Sequence, residues 1–162
     1  MSPTSTARVT AAALDYSQLM RAAEAMLPLV EAEAAEAERL THMTDKVVAQ
    51  FRKAGLNLML TPKELGGAQL SYSDSMRIVE KMSHADGSSG WCLMVQNVMG
   101  GSMGSMLPDA GAQAIFGKSP DIVGAGNGVP RGAAREVDGG YMFKGSWSYG
   151  SGIHHAEWIH SA

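Results

Sequence analysis

Three stretches of the chain carry residues able to do chemistry. In Gly150-Ser151-Gly152, the missing side chains let a flat ligand reach the backbone, and Ser151 offers a hydroxyl that can donate or accept. That is a plausible cofactor edge. His154, His155 and His160, with Glu157, have the ligand chemistry of a metal site. On an extended strand, however, His155 and Glu157 share one face while His154 and His160 share the other, so the four do not converge and no metal is expected. Gly124-x-Gly126-x-Gly128 invites a dinucleotide reading, which needs Gly-x-Gly-x-x-Gly between a strand and a helix. Pro130 and another extended run follow instead, so a Rossmann loop is rejected.

The elements that must position these residues are legible from periodicity. Asp138-Gly139-Gly140 separates two extended runs and suits the tight turn of a β-hairpin. After it, Tyr141 and Phe143 fall on one face, and Trp147 and Tyr149 alternate with Ser146 and Ser148 as the strand runs toward Ser151. Trp147 reads as a packing residue. Upstream, Leu19, Ala23, Met26, Leu27, Val30 and Ala34 recur at helical steps over Asp15 to Arg39, with a kink or a break into two helices expected at Pro28. Thr44 is placed to cap a second helix that carries Val47, Val48 and Phe51 and stops at Gly55. Ser71 with Asp74 resembles a capping box for a third helix reaching about Ala85, where Met76, Val79 and Met82 share helical spacing. The uncharged run from Trp91 to Leu107 contains Gln96, Asn97 and several glycines, and reads as a buried helix with close packing at Gly100 and Gly104. A short helix is expected from Asp109 to Phe116.

Composition narrows the function classes. Hydrophobic residues make up 45% of the 162 and the formal net charge is −3, which gives a folded chain with no basic excess to attract nucleic acid. The single cysteine, Cys92, leaves no disulfide framework, and a cytoplasmic location with no membrane contact is expected. The 12 methionines read as gap-filling core residues. Residues 1–14 lack an apolar signal core and read as a flexible leader, followed by a helical domain over 15–119 and a partial β-domain over 120–162.

Several short motifs then resemble one family in an unbroken order. Pro62, Glu64, Gly66 and Gly67 look like a proline-x-glutamate-x-glycine-glycine turn, and Ala85-Asp86-Gly87-Ser88-Ser89-Gly90-Trp91 like the following helix start. Pro130-Arg131-Gly132, Gly139-Gly140-Tyr141, Gly145-Ser146-Trp147, Ser151-Gly152 and Ala156-Glu157-Trp158 follow. Together they resemble the flavoproteins of the acyl-CoA dehydrogenase fold, especially the group D flavin-dependent monooxygenase branch. The resemblance implies an α+β chain: an N-terminal all-helical domain and part of an antiparallel middle β-domain, in a truncated form of that fold whose remaining β-strands and C-terminal bundle are missing.

What the resemblance implies about function is specific. Reduced FMN or FAD, delivered by a separate flavin reductase, would react with molecular oxygen to give a C4a-hydroperoxide that oxygenates a small organic substrate. Ser151 matches the family's hydroxyl near the reactive flavin edge, with Gly150 and Gly152 beside it. Tyr149 is a ring neighbour or a core tyrosine, and Asn127 is a flavin contact or an ordinary turn asparagine. Trp91, Gln96 and Asn97 lie where the family's helical domain faces substrate. Phenol-hydroxylating relatives often carry a histidine about two turns after the tryptophan, where this chain reads Gln96, Asn97, Val98 and Met99. The resemblance also implies a homotetramer in full-length form. Two alternatives stand beside this reading: an acyl-CoA dehydrogenase, and an inactive or split piece acting as an interaction module through unpaired strand edges.

Overall fold

Apolar residues at helical spacing build the first element and its core face together. The structure, a computed structural model, describes residues 14–161. Helix α1 (Tyr16–Leu40) buries Leu19, Ala23, Met26 and Val30. Its start is a complete capping box: Asp15 accepts from the Gln18 amide at 2.8 Å, and Gln18 accepts from the Asp15 amide at 3.1 Å. Pro28 lies inside one 25-residue helix rather than between two. Met26 and Val30, buried on either side of it, hold both halves against the same core, which outweighs the single missing donor. Of the expected leader, Leu14 packs against that core, and residues 1–13 lie outside the described residues.

Helix α2 (Asp45–Ala54) ends at Gly55, whose φ of 72° is the left-handed stop. Thr44 occupies its N-cap position without a side-chain capping bond, so the expected cap is positional only. The connection to α3 is two single 3-10 turns, and Gly66 closes the second at φ 91°. A side chain on Gly67 would collide with the Thr61 carbonyl, which explains the paired glycines of this turn. Helix α3 (Tyr72–Ala85) starts from Ser71, whose hydroxyl accepts from the Asp74 amide at 3.1 Å. Helix α4 (Gly87–Met106) starts from Asp86, which accepts from the Ser89 amide at 2.7 Å. Gly100 and Gly104 let α4 approach Thr61 and Pro62. The expected close packing is therefore against the irregular 59–65 segment and not against another helix. Helix α5 (Asp109–Phe116) follows. Leu19, Phe51, Ile78, Met82 and Leu93 meet at the centre of the four longer helices. Among the described residues no helix is long and apolar enough to cross a membrane.

Beyond α5 the chain forms two small sheets. Strands β2 (Ala133–Val137) and β3 (Gly140–Lys144) make the expected antiparallel hairpin, with Val137 opposite Gly140. Strands β1 (Gly124–Asn127) and β4 (Trp158–Ser161) pair in parallel, from Gly124 with Trp158 to Asn127 with Ser161, where antiparallel pairing was expected throughout. A parallel pair needs a long crossover, and the hairpin with its following loop provides it. The strand expected to carry Trp147 and Tyr149 stops at Lys144. Trp147 folds back over Gly145, stacks on Phe143 with centroids 5.4 Å apart and donates to the Val129 carbonyl. Glycine at 145 is what leaves room for that reversal.

Arg52 fastens the sheet region to the helices. It donates to Asp121 at 3.1 Å, to the Asp121 carbonyl at 2.9 Å and to Glu157 at 2.6 Å. Glu157 also accepts from the Val123 amide at 2.7 Å, and Asn57 donates to Asp121 at 2.7 Å. One guanidinium thus fixes both chain segments that enter the β1–β4 pair.

Candidate functional site

The fastened sheet places the 148–155 loop across the open end of the helices. A cleft of about 840 Å³ lies between that loop, the C-terminal end of α1 and the N-terminal end of α4. Trp91, Tyr149, Gly150, Ser151 and Gly152 all line it. The Trp91 indole nitrogen donates to the Ser151 hydroxyl at 2.9 Å, joining two residues 60 apart in the chain. With a lone pair taken, the Ser151 proton is left to donate to an acceptor in the cleft. Trp91 is 56% exposed and Tyr149 79% exposed, so both rings present apolar surface in the cleft wall.

The other predicted residues are placed differently. Gln96 is buried beneath Gly152: a Cβ on Gly152 would stand 2.9 Å from the Gln96 amide nitrogen, and the backbone there is left-handed at φ 79°. That amide nitrogen has no hydrogen-bond partner in the protein. Asn97 is fully buried and stands apart from the cleft. It donates to the carbonyls of Leu56 at 2.8 Å and Leu93 at 2.9 Å and accepts from the Leu60 amide at 3.4 Å. Asn127 also works locally, donating to the Tyr149 carbonyl at 2.9 Å and accepting from the Val129 amide at 2.9 Å. It ties the end of β1 to the cleft loop, so both halves of its amide already have partners.

The histidines differ from the strand reading. His154 and His155 sit on a 3-10 turn (Ile153–His155), so the alternation argument does not apply to them. They meet His42 from the α1–α2 junction: His42 stacks on His154 at 4.7 Å and meets His155 edge-on at 5.5 Å. Nothing local in the sequence singles out His42, because its partners are distant along the chain. Among the described residues no three His, Cys, Asp or Glu side chains are grouped to hold a metal ion. Cys92 also lines the cleft, where burial first and Asp86 second push its thiol up, so it is no ready nucleophile.

Burial, and next the neighbouring His42, push the His155 imidazole below the ordinary histidine range, against the pull of Asp45. An unfolded chain binds the proton that the folded ring resists. Stability should therefore fall as pH falls from about 6.5, and this contribution should be absent well above that value, where the ring is neutral in both states. The midpoint of urea unfolding should decline between about pH 7 and pH 5.5, and His155→Gln should flatten that decline. An equally steep decline in the variant would assign it to another group.

Residues 17–113 match the family described as acyl-CoA dehydrogenase, N-terminal domain. The chain belongs to the acyl-CoA dehydrogenase family. Among family members it is similar to flavin-dependent monooxygenases: it is 37% identical over 117 residues to the indole-3-acetate monooxygenase of Pseudomonas putida, covering 72% of this chain and 30% of that protein. It is 29% identical over 139 residues to the flavin-dependent monooxygenase, oxygenase subunit HsaA, of Rhodococcus jostii, covering 86% and 36%. A solved structure of XiaF from a Streptomyces species, in complex with FADH2 and glycerol, superimposes with a TM-score of 0.85 at 27% identity, over 90% of this chain and 37% of that one. The chain thus spans about a third of the length of these relatives.

The residues of this acyl-CoA dehydrogenase family member fit a flavin on structural grounds. Gly150, Ser151 and Gly152 line the cleft, the Ser151 hydroxyl has a proton to give, and Trp91 and Tyr149 are exposed aromatic rings in its wall. The unpartnered Gln96 amide lies directly behind the same glycine.

Proposed function

We propose that the chain is the helical and cleft-forming part of a reduced-flavin-dependent monooxygenase, the oxygenase of a two-component system. The observation that carries this reading is the Trp91–Ser151 hydrogen bond across a glycine-flanked cleft, in a chain similar to flavin-dependent oxygenase subunits. When bound, reduced FMN or FAD supplies the activation of molecular oxygen and the transfer of one oxygen atom to a small organic substrate. Ser151 donates to an acceptor on the flavin edge, and Trp91 holds that hydroxyl in orientation. Gly150 and Gly152 carry the loop past the ring, Gly152 through a left-handed turn at φ 79°, while Asn127 fixes the Tyr149 carbonyl and with it the near side of the loop. The helices α1 and α4 close two walls against bulk water. A flavin reductase sharing the compartment, which the lone cysteine suggests is the cytoplasm, would provide the reduced cofactor, and the whole protein would act as a homo-oligomer.

Anaerobic titration with reduced FMN and FAD tests this directly. One of the two should bind saturably to the parent chain, and Ser151→Ala should weaken it by about 1 kcal/mol, roughly fivefold. Failure of both flavins to bind, or equal affinity in Ser151→Ala, would remove the reading.

A further inference from the structure

Three imidazoles join the 148–155 loop to the helices. His42, at the α1–α2 junction, stacks on His154 at 4.7 Å and meets His155 edge-on at 5.5 Å. Its Nδ1 stands 2.8 Å from the Met43 carbonyl, so this ring is anchored on the helical side while the other two belong to the loop. The loop also rests on polar atoms without partners. Nε2 of His155 and the amide nitrogen of Gln96, which lies beneath Gly152, are both shielded from solvent, and neither has a hydrogen-bond partner in the protein. In an imidazolium both ring nitrogens are donors, so a charged His155 in this position would bury a donor that faces no acceptor. The charge is accommodated only when the loop swings the ring out to water.

We propose that the His42, His154 and His155 cluster is an acid-operated latch: protonation of the cluster releases the 148–155 loop from the α1–α2 junction while the helices stay folded. Neutral rings stack, whereas two imidazolium rings in the same contact repel. Glu38 at the end of α1, Asp45 at the start of α2 and Asp86 before α4 attract a positive charge there; Cys92 of α4 is neutral, and no Lys or Arg is among the residues that line the cleft. Burial and His42 nonetheless hold the His155 ring below the ordinary histidine range, so the released ring takes a proton more readily than the latched one. The latch is therefore closed above about pH 6.5 and opens as pH falls below it. Release stays local because the helical core has nothing to protonate: none of the buried polar side chains among the described residues is a carboxylate, a histidine or a lysine. The loop carries Tyr149 and Ser151, so the open form loses that wall of the cleft.

The Trp91 indole N–H, which donates to Ser151 across the cleft, reports the state of the latch. In the parent chain its exchange with solvent should be slow at about pH 7.5, and its protection should fall between about pH 6.5 and pH 5, by up to about tenfold per pH unit for one proton taken up. The backbone amides of Met82 and Leu93, in the helical core, should keep their protection over the same interval. His155→Gln removes the shielded titrating ring and should abolish the fall. His154→Asn, at an exposed ring, removes a like charge and should move the fall to lower pH. Ring proton resonances of His42 and His155 in the parent chain should titrate together with the indole change, a readout that does not depend on any variant folding. Indole protection that ignores pH, equal loss at Met82 and Leu93, an undiminished fall in His155→Gln, an unmoved fall in His154→Asn, or ring titration apart from the indole change would each overturn the proposal. No flavin enters this experiment, so a chain that latches but fails to bind reduced flavin loses the flavin reading alone.

Discussion

Replacing Gly126 by alanine will destabilise the chain by about 3 kcal/mol, whereas Gly128→Ala, two residues on, will change stability by less than about 0.5 kcal/mol. The two glycines look equivalent in the Gly-x-Gly-x-Gly run, and only their surroundings separate them. Gly126 lies opposite His160 in the parallel β1–β4 pair, and a Cβ there would collide with the His160 carbonyl oxygen. That oxygen is backbone, so relief requires the strands to part. A Cβ on Gly128 would meet nothing within 4 Å. The effect should reach the cleft as well, because β4 follows the 148–155 loop directly and Asn127 joins the end of β1 to the Tyr149 carbonyl. Urea unfolding of both variants, with ligand titration of each, checks the prediction. Equal midpoints would mean that the β1–β4 pair contributes little to the fold.

What was legible in the sequence was what neighbours along the chain decide. Asp74 follows Ser71 by three residues, Gly55 ends an apolar-periodic run, and the Pro62 to Gly67 turn is written in its own glycines, so each could be placed without knowing the rest. The site was half legible for the same reason: Ser151 lies between two glycines and Trp91 follows a helix start, although nothing local says that their side chains meet. The unforeseen features all depend on placement across the chain. Arg52 reaches Asp121 and Glu157, His42 finds His154 and His155, and β1 pairs with β4 in parallel. Asn97 shows the limit most clearly. Its position on α4 suggested the substrate side, but the helix turns it toward the irregular 56–60 segment, whose backbone groups need partners that no local element supplies.

Asn97→Ala is accordingly expected to cost about 3 kcal/mol, as a core effect and not as a change in the cleft. The side chain is fully buried, and its amide donates to the carbonyls of Leu56 and Leu93 while its oxygen accepts from the Leu60 amide. Truncation leaves the Leu56 carbonyl and the Leu60 amide without these bonds in a place water reaches poorly, and it opens a small cavity. Asn97→Asp separates the polar loss from the packing loss, because volume is conserved while the donor becomes a carboxylate oxygen facing two carbonyls. Burial without a cation raises that carboxyl above its unfolded value, so its penalty is largest near neutrality and shrinks as pH falls and the folded state takes up the proton. Unfolding midpoints should therefore rank parent, then Asn97→Ala, then Asn97→Asp at about pH 7, with the gap between parent and Asn97→Asp narrowing toward about pH 5. If Asn97→Ala instead kept its midpoint and lost only flavin binding, Asn97 would belong to the cleft, and the packing of α4 against the 56–60 segment would have to be held by its apolar contacts alone.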